Sequence, residues 1–329
     1  MLMSDDNVNN IFSAFYCQTP VSPPSWDLIR QNMVFNKDIL AEIPKDGVEA
    51  KDVLMEIPQD QVDQFCEILK ADWPLSIHAY YFIKTMSEWK IKKPSLKCDL
   101  LCIKPNDAQG TFVGILESEG GNVFIIPYTH KDGNEQLEMA LTETGKIRWD
   151  ANPIFEAVLA RHSNSIERVI NLKGKSAELY CNSTLYYMSN EKASNISIHV
   201  PQNVTVGDLN ISDIDYMYSV WAHNDIYSKQ ELLDAVNFNR GVGVYSKTDG
   251  RLLSWMVHTH YGGLGNLQTR KGEEGKGYGK LVTQFLSKEL SKIGIDLHCT
   301  IKRENKVSQN LFTSSGFEFQ CPLTFIVAK

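Results

Sequence analysis

Paired cysteines are missing from this chain. Its seven cysteines, Cys17, Cys66, Cys98, Cys102, Cys181, Cys299 and Cys321, are odd in number, scattered, and free of any C-x-x-C spacing. That set excludes a disulfide framework and a zinc ribbon, so the thiols read as reduced core residues and no metal is expected. Also missing is an unbroken apolar run of about 18 residues, so no membrane span is expected. The opening MLMSDDNVNN has neither the basic start nor the apolar middle of a leader peptide, which makes a cytoplasmic protein the expectation. Positive charge is scarce, with 33 Lys and Arg against 40 Asp and Glu and a net charge of -7. Broad nucleic-acid binding, which needs a basic footprint, is thereby excluded. A local basic site for a small anion is still allowed.

At 329 residues the chain exceeds the usual size of one domain, and two are expected. Pro20, Pro23 and Pro24 forbid a regular helix near the start, so residues 1–48 read as a proline-containing arm. An α+β domain over 49–195 and a second over 196–329 complete the division. In the first, QDQVDQFCEILKADW after Pro58 puts Val62, Phe65, Cys66 and Leu69 on one helical face. SIHAYYFIKTMSEW reads as another helix, although its aromatics also suit a strand. KCDLLCIK, TFVGILES and NVFIIPYT are strands parted by turn compositions, two or more helices follow between 135 and 173, and KSAELYCNSTLYYM is a strand.

The second half is more explicit. ISIHVPQNVTVGDL reads as strand-like, and ISDIDYMYSVWAHND and SKQELLDAVNFN as helices. GVGVYSKTDGRLLSWMVHTH is a hairpin signal, with Asp249-Gly250 expected to supply a tight primed turn. GGLGNLQTR is the next strand. KLVTQFLSKELSKI is a helix with Leu281, Val282, Phe285, Leu286, Leu290 and Ile293 on its buried side, ended by Gly294. IDLHCTIK is a buried strand, and NKVSQNLFTSSGF a short helix with Val307, Leu311 and Phe312 inward and Gly316 as its cap. FEFQCPLTFIVA closes as one or two strands, interrupted at Pro322.

Between that third strand and the long helix lies EEGKGYGKLV, with glycines at 275, 277 and 279. A phosphate loop of the G-x-x-x-x-G-K-[ST] type would need glycine at Glu274 and a hydroxyl at Leu281. A dinucleotide loop needs G-x-G-x-x-G after the first strand of a βαβ unit, whereas this stretch is G-x-G-x-G after a hairpin. A pyrophosphate resting on a helix N-terminus fits better. Glycines let the backbone approach the anion, the helix dipole favours it, and Lys276 and Lys280 add charge. A loop that merely caps the helix is the alternative.

The order of strand, hairpin, strand, glycine loop, helix, strand, helix and strand resembles the GNAT superfamily of N-acetyltransferases. Its Q/R-x-x-G-x-G/A motif matches Glu274-Gly275-Lys276-Gly277-Tyr278-Gly279 at all but the first position. A second signature is similar at Asn305, Ser308, Leu311-Phe312 and Gly316-Phe317. Within that superfamily, LLSWMVHTHYGGLGNLQT resembles the strand pair of the glycine N-acyltransferase-like proteins, with Ser254-Trp255 and Thr269 in register. The resemblance implies a GNAT-like, mostly antiparallel mixed sheet flanked by helices, and the first half, whose helices, three strands, helix and further strand follow the same order, reads as a degenerate copy of it. It also implies an enzyme transferring an acyl group from acyl-CoA or acetyl-CoA to a small amine acceptor such as glycine or another amino acid. By family analogy a mitochondrial location is also open, though no transit peptide is evident. The implied cofactor contacts are Gly275, Lys276, Gly277, Tyr278, Gly279 and Lys280 on the pyrophosphate, Leu267, Gln268 and Thr269 along the pantetheine arm, and Asn305 and Ser308 near its far end.

The proton chemistry is where the chain departs from the family. Where members with an assigned general base carry glutamate, this chain carries Gly263, and Phe312 stands where many carry a tyrosine that protonates the leaving thiolate. Histidines titrate near neutrality, so His260 and His298 are the substitute candidates. A strand histidine is more often structural, and a non-catalytic acyl-CoA-binding protein is the alternative function.

Overall fold

Val62, Phe65, Cys66 and Leu69 do line one face of a helix, α1 (Val62–Leu69), which buries all four. The aromatic-rich segment after it is also helical, α2 (Ile77–Lys92), with Phe82, Ile83, Met86 and Trp89 buried against the sheet. These assignments come from a computed structural model that describes residues 52–329; the arm expected over 1–48 lies outside them.

The first half runs β1 (Met55–Glu56), α1, α2, β2 (Cys98–Cys102), β3 (Phe112–Glu117), β4 (Val123–Tyr128), α3 (Asn134–Glu143), β5 (Ile154–Leu159), α4 (Ala160–Leu172) and β6 (Ala177–Met188). A short α5 (Asn190–Ser194) links to the second half. That half repeats the order: β7 (Val204–Asp208), α6 (Ile214–Val220), α7 (Lys229–Phe238), β8 (Arg240–Ser246), β9 (Leu252–His258), β10 (Leu264–Thr269), α8 (Tyr278–Ser291), β11 (Leu297–Lys302), α9 (Lys306–Ser314) and β12 (Glu318–Ala328). The expected degenerate copy is therefore present as a complete repeat of element order.

The two copies exchange their last strands. One sheet has the order β1-β2-β3-β4-β5-β12-β6-β11 and the other β10-β9-β8-β7. The last strand of the second half lies between β5 and β6, and the last strand of the first half lies between β12 and β11. The copies differ at one seam. In the first half β4 and β5 pair in parallel, Phe124 with Ile154 and Ile125 with Phe155. Their counterparts β10 and β11 belong to different sheets and share no ladder, leaving a gap between them.

Several expectations are corrected. The region 135–173 holds its expected helices, α3 and α4, but also a strand, β5, between them, whose burial on both faces hides the alternation that would mark it. The turn after β8 is not a primed two-residue turn, because only Gly250 takes positive φ (71°) and the ladder shifts register between Val244 and Tyr245. Only Val204–Asp208 of the strand-like ISIHVPQNVTVGDL pairs, since Pro201 removes a ladder donor. Ile293 and Val307 are exposed (71% and 79%): Ile293 lies past the end of α8, and α9 meets the core through Phe312, fully buried, and Leu311, partly so. Pro322 does not interrupt β12, because a bulge between Phe319 and Cys321 accommodates it opposite Thr184. The six described cysteines are all free. No described helix is long and apolar enough to cross a membrane.

Candidate functional site

The gap between β10 and β11 opens into a cleft of about 470 Å³, within the range of small-molecule sites. Leu264 to Gln268 form one wall and Cys299 to Lys302 the other, with α7 and the 220–223 segment closing one side. Phe312 reaches the cleft from α9, bringing a ring without a proton to donate.

Along β10 the ladder slips. Gly265 pairs with Val257 and Gln268 with Trp255, so Asn266 and Leu267 together oppose only Met256. Asn266 takes φ 49° at this bulge. Two residues are thus released from the β9 ladder, and both line the cleft. Trp255 Nε1 donates to Asn266 Oδ1 at 3.1 Å, while Asn266 Nδ2 is buried without a partner among the described residues. Gln268 Nε2 donates to Val220 O at 3.2 Å, and Thr269 Oγ1 meets Ser254 Oγ at 3.0 Å, in the register expected from sequence.

The glycine loop leads from this strand into α8. Gly277 is the helix N-cap at φ 83°, a conformation that L side chains resist. A Cβ on Gly279 would stand 3.1 Å from Leu311 Cδ1 and 3.5 Å from Thr269 Oγ1, so its bare backbone is what lets α8 start hard against β10 and α9. Among the described residues, no acceptor takes a bond from the amides of Gly275 to Lys280, which leaves them for an anion at the helix's positive end. The Tyr278 side chain is not part of such a site, since it is buried in the core and its hydroxyl accepts from Asn203 Nδ2 at 3.1 Å. Lys276 pairs with Glu273 at 2.8 Å, and Glu274 accepts from Gly272 N at 2.6 Å. Asn305 caps α9, accepting from Ser308 N at 3.0 Å, and both residues stand at the cleft.

The two candidate histidines separate. His260, in the loop between β9 and β10, lines the cleft. Its Nε2 lies 3.4 Å from Glu156 Oε2, and its Nδ1 has no hydrogen-bond partner among the described residues and keeps some access to solvent. His298 lies outside the cleft wall, fully buried with neither nitrogen hydrogen-bonded among the described residues, its ring stacked on Tyr81 and edge-on to His78. Burial, joined by the nearby His78 and His258, holds it well below its ordinary value, so it stays neutral and out of reach of a substrate. Its Nε2 stands 2.9 Å from where a Cβ on Gly263 would be, so His298 and the Tyr261 ring fill the place a longer residue 263 would need.

Sequence reasoning missed Glu156. It comes from β5 of the first half, is 1% exposed, and accepts from the Tyr227 hydroxyl as well as facing His260. Burial pushes its carboxyl up, but the contacts from His260 and Tyr227 outweigh this and hold it below the usual carboxylate range. The one sequence signal was a single carboxylate in an otherwise apolar run. A second cleft carboxyl, Glu231, accepts from Ser228 N at 2.6 Å and Ser118 Oγ at 3.0 Å through Oε2, while Oε1 is buried and unpaired among the described residues. Burial raises its pKa.

Comparisons with known proteins bear on this geometry. The family model described as FR47-like protein matches residues 241–324, and a domain of unknown function, DUF5645, matches residues 53–171. No curated protein matches the chain. A Drosophila protein solved by X-ray crystallography is similar in structure, at 18% identity over 85% of this chain and 99% of that one, with a TM-score of 0.76. A tandem GNAT protein from the clavulanic acid biosynthesis pathway is similar over 85% of this chain and 98% of its own, at 12% identity and a TM-score of 0.52. What the chain shares with both is the fold, and within its second half residues 241–324 match the FR47-like model.

Proposed function

We propose that the chain is an N-acyltransferase that binds acyl-CoA in the β10–β11 cleft and passes the acyl group to a small amine, with glycine or another amino acid as the acceptor class. The observation that carries this reading is the coincidence of three features at one seam. The strands part only in the second half, the bulge at Asn266 and Leu267 lies on the parted edge, and an uncapped helix N-terminus with unengaged amides begins just beyond it.

On this reading the amides of residues 275–280, with Lys276 and Lys280, hold the pyrophosphate. Leu267 to Thr269 run beside the pantetheine arm, and Asn305 and Ser308 stand near its far end. The residues released by the bulge, with Asn266 Nδ2, supply donors for the oxygen of the thioester as it gains charge. His260 takes the amine proton through its open Nδ1. The finer likeness to glycine N-acyltransferases rests on sequence alone and decides only the acceptor class.

The experiment is to mix the purified protein with acetyl-, benzoyl- and longer acyl-CoAs and an amine panel that includes glycine, and to follow release of free thiol. Thiol release that depends on both partners is expected. Thermal protection by coenzyme A with no turnover of any pair would leave the non-catalytic binding reading, which Phe312 and Gly263 favour.

A further inference from the structure

Glu156 belongs to the half of the chain that has no open seam, yet it reaches the chemistry of the other half. Its strand distorts to bring it there. Thr324 of β12 pairs with Val158 and Ile326 with Phe155, so Glu156 and Ala157 together oppose Phe325 alone. At this bulge Ala157 sits at φ 49°, a conformation that a non-glycine residue adopts only when its surroundings force it. The distortion delivers a carboxylate, 1% exposed, into an apolar wall. Both oxygens find donors there: Oε1 takes the Tyr227 hydroxyl, and Oε2 faces His260 Nε2. Tyr227 is itself clamped between the rings of Trp221 and Phe124, stacked at 5.2 and 5.0 Å.

A carboxylate held by tyrosine on one side can only accept on the other. His260 must then carry its proton on Nε2, which leaves the Nδ1 lone pair toward the cleft. We propose that Glu156, supplied by the first half, is the positioning residue that fixes the tautomer and orientation of His260 as proton acceptor for the amine. The proposal rests on the acyl-transfer reading above. In the step it serves, the amine nitrogen bonds to the thioester carbon, the carbon–sulfur bond breaks, and the nitrogen's proton passes to His260 Nδ1 and on to the leaving sulfur. The closed half of the duplication thus has a task in the open one.

The test reads the histidine directly. In the full chain labelled with ¹⁵N-histidine, His260 is assigned by the signal lost in His260→Gln, and its tautomer is read from long-range couplings. Nε2–H is expected in the wild type. In Glu156→Gln the amide nitrogen must occupy one of the two positions, so the Nε2–H population should fall and kcat should drop by about tenfold or more. The KM for acyl-CoA should stay within about twofold, and Glu156→Asp should recover part of the rate. A wild-type Nδ1–H tautomer, or an unchanged spectrum and kcat in Glu156→Gln, overturns the proposal. If the glutamine variant does not fold, the wild-type tautomer and the aspartate variant still decide. Absence of turnover in the wild type overturns the acyl-transfer reading and the proton-acceptor role with it, whereas the spectrum alone tests the pairing.

Discussion

Leu323, six residues from the chain end, lies opposite Leu159 on one side and Ser183 on the other. Among the described residues, the strand that carries it is the only link in hydrogen bonding between β5 and β6, so the first half cannot complete its sheet without the last residues of the second.

Truncation after Gly316 should therefore abolish folding of both halves. Without β12, the strands β5 and β6 lose their shared partner and present two raw edges. The intact chain should melt in one transition, with calorimetric and van't Hoff enthalpies in agreement. Two separated transitions, or a well-dispersed amide spectrum from residues 51–195 alone, would count against the interlock.

Gly277→Ala should cost about 1–2 kcal/mol, because an L residue is forced into left-handed backbone at the N-cap. The same change should weaken coenzyme A binding well beyond the loss in stability, since the amides that follow would shift. Chemical denaturation and calorimetric titration on one variant separate the two effects.

Glu274→Gln should tighten coenzyme A binding by about two- to fivefold at low salt, removing a negative charge from the positive end of α8. Gln can still accept from Gly272 N, so the loop should keep its shape. The gain should shrink as salt rises, and an equal gain at high salt would contradict an electrostatic origin.

Acid should destabilise the fold before most carboxylates protonate. Burial pushes His78, His162 and His258 each down to about 4, so all three are neutral in the folded chain while their unfolded counterparts take a proton near 6.5. Between those values the unfolded state binds more protons. Stability is thus fully retained above about 6.5 and is lost as pH falls from there toward 4. Among the described residues His78 has no partner at either nitrogen, so His78→Leu should flatten the dependence by up to about 1.4 kcal/mol per pH unit in urea midpoints taken from pH 7 to 4.5. An unchanged slope would assign the acid sensitivity elsewhere.

The second half was legible because its signals are local. The Gly275 to Lys280 loop, the helix period of α8 and the buried β11 are each written in a few adjacent residues. The motif names Tyr278 as a position only: that its side chain turns into the core, leaving just its backbone for an anion, depends on Asn203, far away in sequence. Glu156 was invisible for a stronger reason. Its strand is buried on both faces and lacks alternation, and its partners Tyr227 and His260 lie in the other half. Exchange of the last strands could not be read either, since nothing within β6 or β12 says which neighbouring strands each will pair with.

The stitched seam between Phe124 and Ile154 has a consequence for counting. A chain that carries its architecture twice invites a guess of two ligands per molecule, but backbone bonds already occupy the position in the first copy that a thioester's arm would take in the second. Titration should end at one equivalent. Saturation should also protect unevenly, slowing amide exchange around β10, β11 and α8 while leaving β4 and β5 unchanged.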